Sequence, residues 1–86
     1  IKLPFNATIT AIDVYCDAGT SAVGKVQNNA SEVYSSGVSA NANSWTSQTS
    51  SLTNTSYTSG NTIKFYVSAV TGAVSSETIA IQYFRN

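Results

Sequence analysis

The sequence predicts an all-β fold, a small antiparallel β-sandwich of jelly-roll-like character with about 6–8 short strands. Three observations carry this. The chain has no Met and is poor in Leu, Glu, Lys and Arg, while Thr, Val, Ile, Ser and Tyr, which suit strands and turns, abound. Apolar and polar residues alternate near both ends of the chain. Turn signals separate the alternating runs at spacings of about 8–12 residues.

The first strand is read over Thr8–Cys16, with Ile12, Val14 and Cys16 on one face and Asp13 and Tyr15 on the other. Ile9 falls out of that phase, which predicts a β-bulge near Thr10–Ala11. Asp17-Ala18-Gly19-Thr20 turns the chain. Ala22 to Gln27 reads as a shorter strand with Ala22, Gly24 and Val26 on one face, and side chains this small predict a close approach of the sheets. Ser31–Ser35 and Asn43–Thr49 are weaker strand candidates. Ser59-Gly60-Asn61 precedes an alternating run in which Ile63, Phe65 and Val67 face the core. Thr71-Gly72 sits in the hairpin before the last strand, Thr78–Tyr83, whose Ile79, Ile81 and Tyr83 face inward. No internal repeat and no linker interrupts the chain, so residues 1–86 read as one domain. Ile at the first position leads us to expect a processed chain or a fragment, such as the C-terminal module of a longer polypeptide.

Between Glu32 and Lys64 lie 31 residues, Val33 to Ile63, without a formal charge, and 19 of them are Ser, Thr or Asn. Disordered linkers usually stay soluble through net charge, and globular surfaces carry both signs. Its Thr content, its Trp and its lack of Pro favour ordered strands over a flexible loop, with faces covered by neighbours or exposed where charge is unwelcome.

A chain of 86 residues buries only about 60% of its unfolded surface, so disulfides, a metal or oligomerisation are commonly recruited as reinforcement. Cys16 is alone and reads as a small core residue, and His is absent, which argues against a zinc or copper site. Oligomerisation is the remaining route. Four cations balance four anions. No basic patch exists for nucleic acid, and no polybasic segment or long apolar run for a membrane.

Catalysis is not expected. General acid–base chemistry needs a positioned group, most often His, Glu, Asp or Lys, and a nucleophilic Ser needs a base beside it. Asp13 and Asp17 lie roughly 13 Å apart on an extended strand, too far for either glycosidase arrangement. Asp17-Ala18-Gly19-Thr20-Ser21 offers oxygens for calcium but only one carboxylate, and reads instead as an Asp turn capped by its own side chain. No cofactor is expected. Three N-x-S/T sequons, at Asn6, Asn29 and Asn54, occur at the frequency that eight Asn and 25 Ser or Thr give by chance. Trp45, Tyr57 and Tyr34 are the candidate ligand-binding residues, because aromatics among Asn, Gln, Ser and Thr can stack on sugar rings. For Trp45 the sandwich core is the favoured place, and a binding face the alternative.

Several segments resemble small β-sandwich modules of bacteriophage tail-fibre and virion proteins. Leu3-Pro4-Phe5-Asn6-Ala7-Thr8-Ile9-Thr10 is similar to their apolar-Pro-Phe start and A-T-I-T type strand. Gly19-Thr20-Ser21-Ala22-Val23 is similar to their "GSAV" strand, and Gly60-Asn61-Thr62-Ile63-Lys64-Phe65-Tyr66-Val67 to their "GDxLxFxV" strand, with Asn61 in place of Asp. Thr78 to Arg85 resembles their closing strand. The resemblance covers both ends of the chain and stops at the uncharged segment. It implies a non-enzymatic virion structural module, of a tail fibre or a capsid decoration, and transfers no functional residue.

The expectation is therefore a homo-oligomer, a trimer favoured, or assembly with other virion proteins, in a virion or extracellular setting. Sparse charge suits identical subunits meeting at a symmetry axis, where like charges repel. Two alternatives stand beside it. One is a carbohydrate-binding adhesin with a host-surface glycan as partner. The other is a subunit of an extracellular filament in which Ile1–Phe5 is an arm exchanged between copies.

Overall fold

Eight strands and no helix are present in the computed structural model, which describes residues 1–86. They are β1 (Ala7–Asp17), β2 (Ser21–Asn28), β3 (Ser31–Glu32), β4 (Val38–Asn41), β5 (Ser44–Gln48), β6 (Ser56–Tyr57), β7 (Ile63–Thr71) and β8 (Ser76–Arg85). All the strand pairings are antiparallel, and the strands form two packed sheets, as the alternation predicts. The domain is elongated, 38 × 21 × 18 Å.

β1 is the centre of one sheet and β2 the centre of the other. One edge of β1 is shared by β5, which pairs Ile12–Cys16, and β6, which pairs Ala7–Thr8. Its other edge is taken by β8 along nearly its whole length. In the second sheet β3 and β4 share one edge of β2, and β7 covers the other. Because short strands share edges, each sheet is only three strands wide. β7 and β8 are therefore edge strands of different sheets, so the hairpin expected at Thr71-Gly72 between the last two strands is instead a crossing from one layer to the other.

The expected alternation of β1 is present. Ile12, Val14 and Cys16 are fully buried, while Asp13 and Tyr15 are half-buried on the outer face. The register of β1 against β8 slips between Ile9 and Ala11, the bulge that the phase of Ile9 predicts. An extra residue there turns Ile9 and Ile12 to the same interior. Ala18 and Gly19 both take positive φ, 64° and 73°, in the turn after β1. Cys16 is free and buried, its thiol directed at the Ala18 carbonyl at 3.3 Å.

Ala22, Gly24 and Val26 line the interior of β2, as expected. A Cβ on Gly24 would lie 2.8 Å from Glu77 Oε2, 2.9 Å from Ile79 Cγ1 and 2.9 Å from Val14 Cγ2. The absent side chain is what lets the sheets close here.

The uncharged segment is ordered. It supplies β4, β5 and β6 and the core residues Val33, Val38, Ala40, Tyr57 and Ile63. Its Ser, Thr and Asn side chains are mostly exposed rather than covered. Asn43, Ser51 and Asn54 turn the chain at positive φ, a conformation that Asn tolerates better than most residues. β3 and β5 fall inside the two weaker strand candidates, whereas β4 and β6 were not expected.

The N-terminal arm lies on its own domain. The Ile1 ammonium donates to the Ile63 carbonyl at 2.6 Å, and the Ile63 N–H donates to the Ile1 carbonyl at 2.7 Å. The Gly60 N–H reaches the Leu3 carbonyl. In this form of the chain the segment expected to exchange is therefore tied to the start of β7.

Candidate functional site

The side of the sandwich formed by β7 and β8 is its most unusual surface. Paired register puts Ile63, Phe65 and Val67 on the same face as the buried Asn28, Val26 and Gly24, and after a register slip Val70 aligns with Ala22. Ile63, Phe65 and Val67 point inward as the alternation predicts, and Val70 joins them beyond the slip. Yet only Ile63 is buried, while Val67 is 50% and Val70 56% exposed. The same holds for β8. Ile79, Ile81 and Tyr83 align with Val14, Ile12 and Ile9, but Ile79 and Ile81 are only half-buried and Tyr83 is exposed. The direction of these side chains was legible in the sequence; their exposure was not, because it depends on whether another strand lies beyond.

Glu77 sits on this open side. It falls between Thr78 and Ser76, which pair with Tyr15 and Asp17, and so occupies the inward position opposite Cys16. Both carboxylate oxygens are shielded from solvent and neither has a hydrogen-bond partner. Burial pushes this carboxyl above the ordinary value of 4.5. A raised carboxyl favours the protonated folded state. The fold is therefore unpenalised below the unfolded value and loses stability as pH rises from there through the folded value.

The three residues expected to bind a ligand are not brought together. Tyr57 is a correction: its ring is buried in the core, where it cannot stack on a sugar. Its hydroxyl accepts the Leu3 N–H at 2.8 Å and reaches the Asn61 carbonyl at 2.6 Å. Tyr34 is half-buried and packs against the core. Trp45, favoured for the core, is instead 59% exposed on β5. Its register partner is Tyr15 on the outer face of β1, and the two rings lie 5.3 Å apart.

An open polar cavity of about 430 Å³ lies elsewhere, lined by Asn28, Asn29, Ser31, Asn54, Thr55, Ser56 and Asn61. Asn28 is buried there and donates to the carbonyls of Asn54 and Ser56 at 2.8 and 2.9 Å. No aromatic ring lines it. Amides and an exposed ring, the two parts of a sugar site, do not converge.

The outer face of the second sheet carries a small charged cluster. Glu32 Oε2 accepts hydrogen bonds from Gln27 Nε2 at 2.7 Å and from the Tyr66 hydroxyl at 2.6 Å. Burial alone would raise this carboxyl, but the bonds from Tyr66 and Gln27, with Lys25 and Lys64 nearby, outweigh it and hold Glu32 below 4.5. The bond to Glu32 in turn raises the Tyr66 phenol above 10.0, with burial and the carboxylate charge adding to it. Ultraviolet titration should show a Tyr66 step above the ordinary tyrosine value that moves down in Glu32→Gln, and an unchanged curve would refute the assignment. Glu32 itself stabilises the fold above its unfolded pKa, a contribution lost as pH falls through its lowered value.

No protein-family model, no curated protein and no solved structure matches this chain.

Proposed function

We propose that the chain is a non-enzymatic structural module that assembles with copies of itself through the β7–β8 side. The strand resemblance supplies the setting: a phage virion, as part of a tail fibre or a capsid decoration. The observation that carries the reading is the open flank, where two neighbouring edge strands present inward-directed but uncovered apolar side chains. Soluble proteins blunt long edge strands with Pro, Lys, bulges or covering loops. β7, of nine residues, carries Lys64 and a bulge at Ser68, but β8, of ten residues, has no Pro, no Lys and no bulge. Contiguous apolar surface of this kind marks an interaction site.

Sedimentation velocity over a wide concentration range tests this. The wild-type chain should run as an oligomer at micromolar concentration, and Val67→Lys together with Val70→Lys should shift it to monomer with its β-sheet circular dichroism retained. A monodisperse wild-type monomer up to the solubility limit would end the assembly reading, and absence from purified virions would end the virion setting.

A further inference from the structure

We propose that β8 pairs antiparallel with the β8 of a second copy about a two-fold axis through Ile81, setting Glu77 of each copy against Arg85 of the other. This rests on the self-assembly reading and specifies its geometry.

The inner face of β8 reads Glu77, Ile79, Ile81, Tyr83, Arg85. Moving outward from Ile81 in both directions gives first Ile79 and Tyr83, then Glu77 and Arg85. An antiparallel pair centred on Ile81 therefore matches apolar with apolar and acid with base, twice over. No other centre on this strand brings Glu77 opposite a cation. On the outer face the same axis sets Ala80 against Gln82 and Thr78 against Phe84, a small side chain facing a larger one each time. Strand β8 is thus complementary to itself, as an isologous two-fold contact requires. A three-fold arrangement, favoured from the sequence, would need two different surfaces to match.

Each charge lacks what the other offers. Glu77 has two shielded oxygens without a partner, a costly state for a carboxylate. Arg85 lies eight residues along the same strand, roughly 26 Å away, so the two cannot meet within one copy. The Arg85 guanidinium is held over the Phe5 ring at 4.9 Å from its centroid, and Phe5 lies 6.0 Å from the Tyr83 ring. That contact holds the cation at the end of the inner face where a second copy would bring Glu77.

The edge is free to pair. β8 bonds only to β1, and the bulge in that pairing lies on β1, leaving β8 continuous. Joining two copies here would merge their sheets in the order β5-β1-β8 and the reverse. Val67 and Val70 stand beside this seam on the other layer, where a second copy would cover them.

An inward charge at a sheet edge can also act as a guard against pairing, and the two roles predict opposite results. Sedimentation equilibrium on the intact chain separates them. Glu77→Leu should weaken self-association at least about thirtyfold if Glu77 meets Arg85. If it strengthens association, Glu77 is a guard and the proposal is overturned. Arg85→Glu should weaken association to a similar degree, and the exchanged pair Glu77→Arg with Arg85→Glu should restore most of it. A fold-independent check uses single cysteines, since the buried Cys16 does not compete. Opposed residues in an antiparallel pair lie about 4.5–5.5 Å apart between Cα atoms, within disulfide reach. Ile81→Cys should form a disulfide between copies on oxidation, and Ile79→Cys should not. Assembly that persists unchanged in Glu77→Leu and Arg85→Glu would remove the β8 pairing and leave the self-assembly reading intact. A monomeric wild type would remove both.

Discussion

Replacing Tyr57 by phenylalanine should lower the melting temperature by roughly 4–24 °C and loosen the N-terminal arm, although the ring remains. The hydroxyl sits inside the core and has one proton. That proton goes to the Asn61 carbonyl at 2.6 Å, the shorter of its two acceptor contacts, while the oxygen accepts the Leu3 N–H. Removing the oxygen leaves a main-chain donor and a main-chain acceptor without their partner, at about 1–3 kcal/mol for such groups when buried. A domain of this length is stable by roughly 4–13 kcal/mol. With only 15 of 86 residues buried, the lower half of that range is the relevant one. Tyr57→Ala also removes the ring, at about 3–5 kcal/mol, which approaches the whole. Thermal melting gives the first readout. Hydrogen exchange of the Ile63 amide, which donates to the Ile1 carbonyl, gives the second. A melting point within about 2 °C of wild type, with unchanged Ile63 protection, would show that the hydroxyl does not anchor the arm.

Tyr57 also shows where sequence reading stops. It lies in a two-residue strand with no alternation around it, and a lone Tyr among Ser and Thr suits a core and a binding face equally. The long strands were legible because eight to eleven residues give period two room to show. Even a break in phase, at Ile9, correctly located the bulge. Trp45 needed one more piece of information, the register. Tyr15 was readable as outward, and pairing with Tyr15 puts Trp45 on the same outer face, but nothing in the sequence states which residues pair. The open flank needed the sheet width. Val67 and Tyr83 were assigned the right direction from alternation, yet burial requires a strand on the far side. Glu77 stayed hidden for a related reason. The inward run was read from Ile79 onward, and extending the same parity by one step reaches Glu77.

Gly24 is the position at which the smallest change should have a disproportionate effect. In a strand, alanine for glycine would by itself gain about 0.5–1 kcal/mol, by restricting the unfolded chain. Here the new methyl would sit under 3.0 Å from Glu77, Ile79 and Val14, two of them on the facing sheet's β8 and one on β1. Overpacking of that kind costs about 1–3 kcal/mol, so the steric term exceeds the backbone gain and the sign reverses. Gly24→Ala should therefore melt several degrees lower than wild type, and Gly24→Val, with three added carbons, should fail to fold cooperatively. The site also predicts a rescue. Only the Glu77 carboxylate is the far end of a flexible side chain, so Glu77→Ala should recover part of the loss in Gly24→Ala, a coupling that a double-mutant cycle measures directly. Strict additivity of the two changes would mean that the sheets separate as a unit rather than locally. The closeness of β2 to β8 would then owe more to the whole interface than to this one missing side chain.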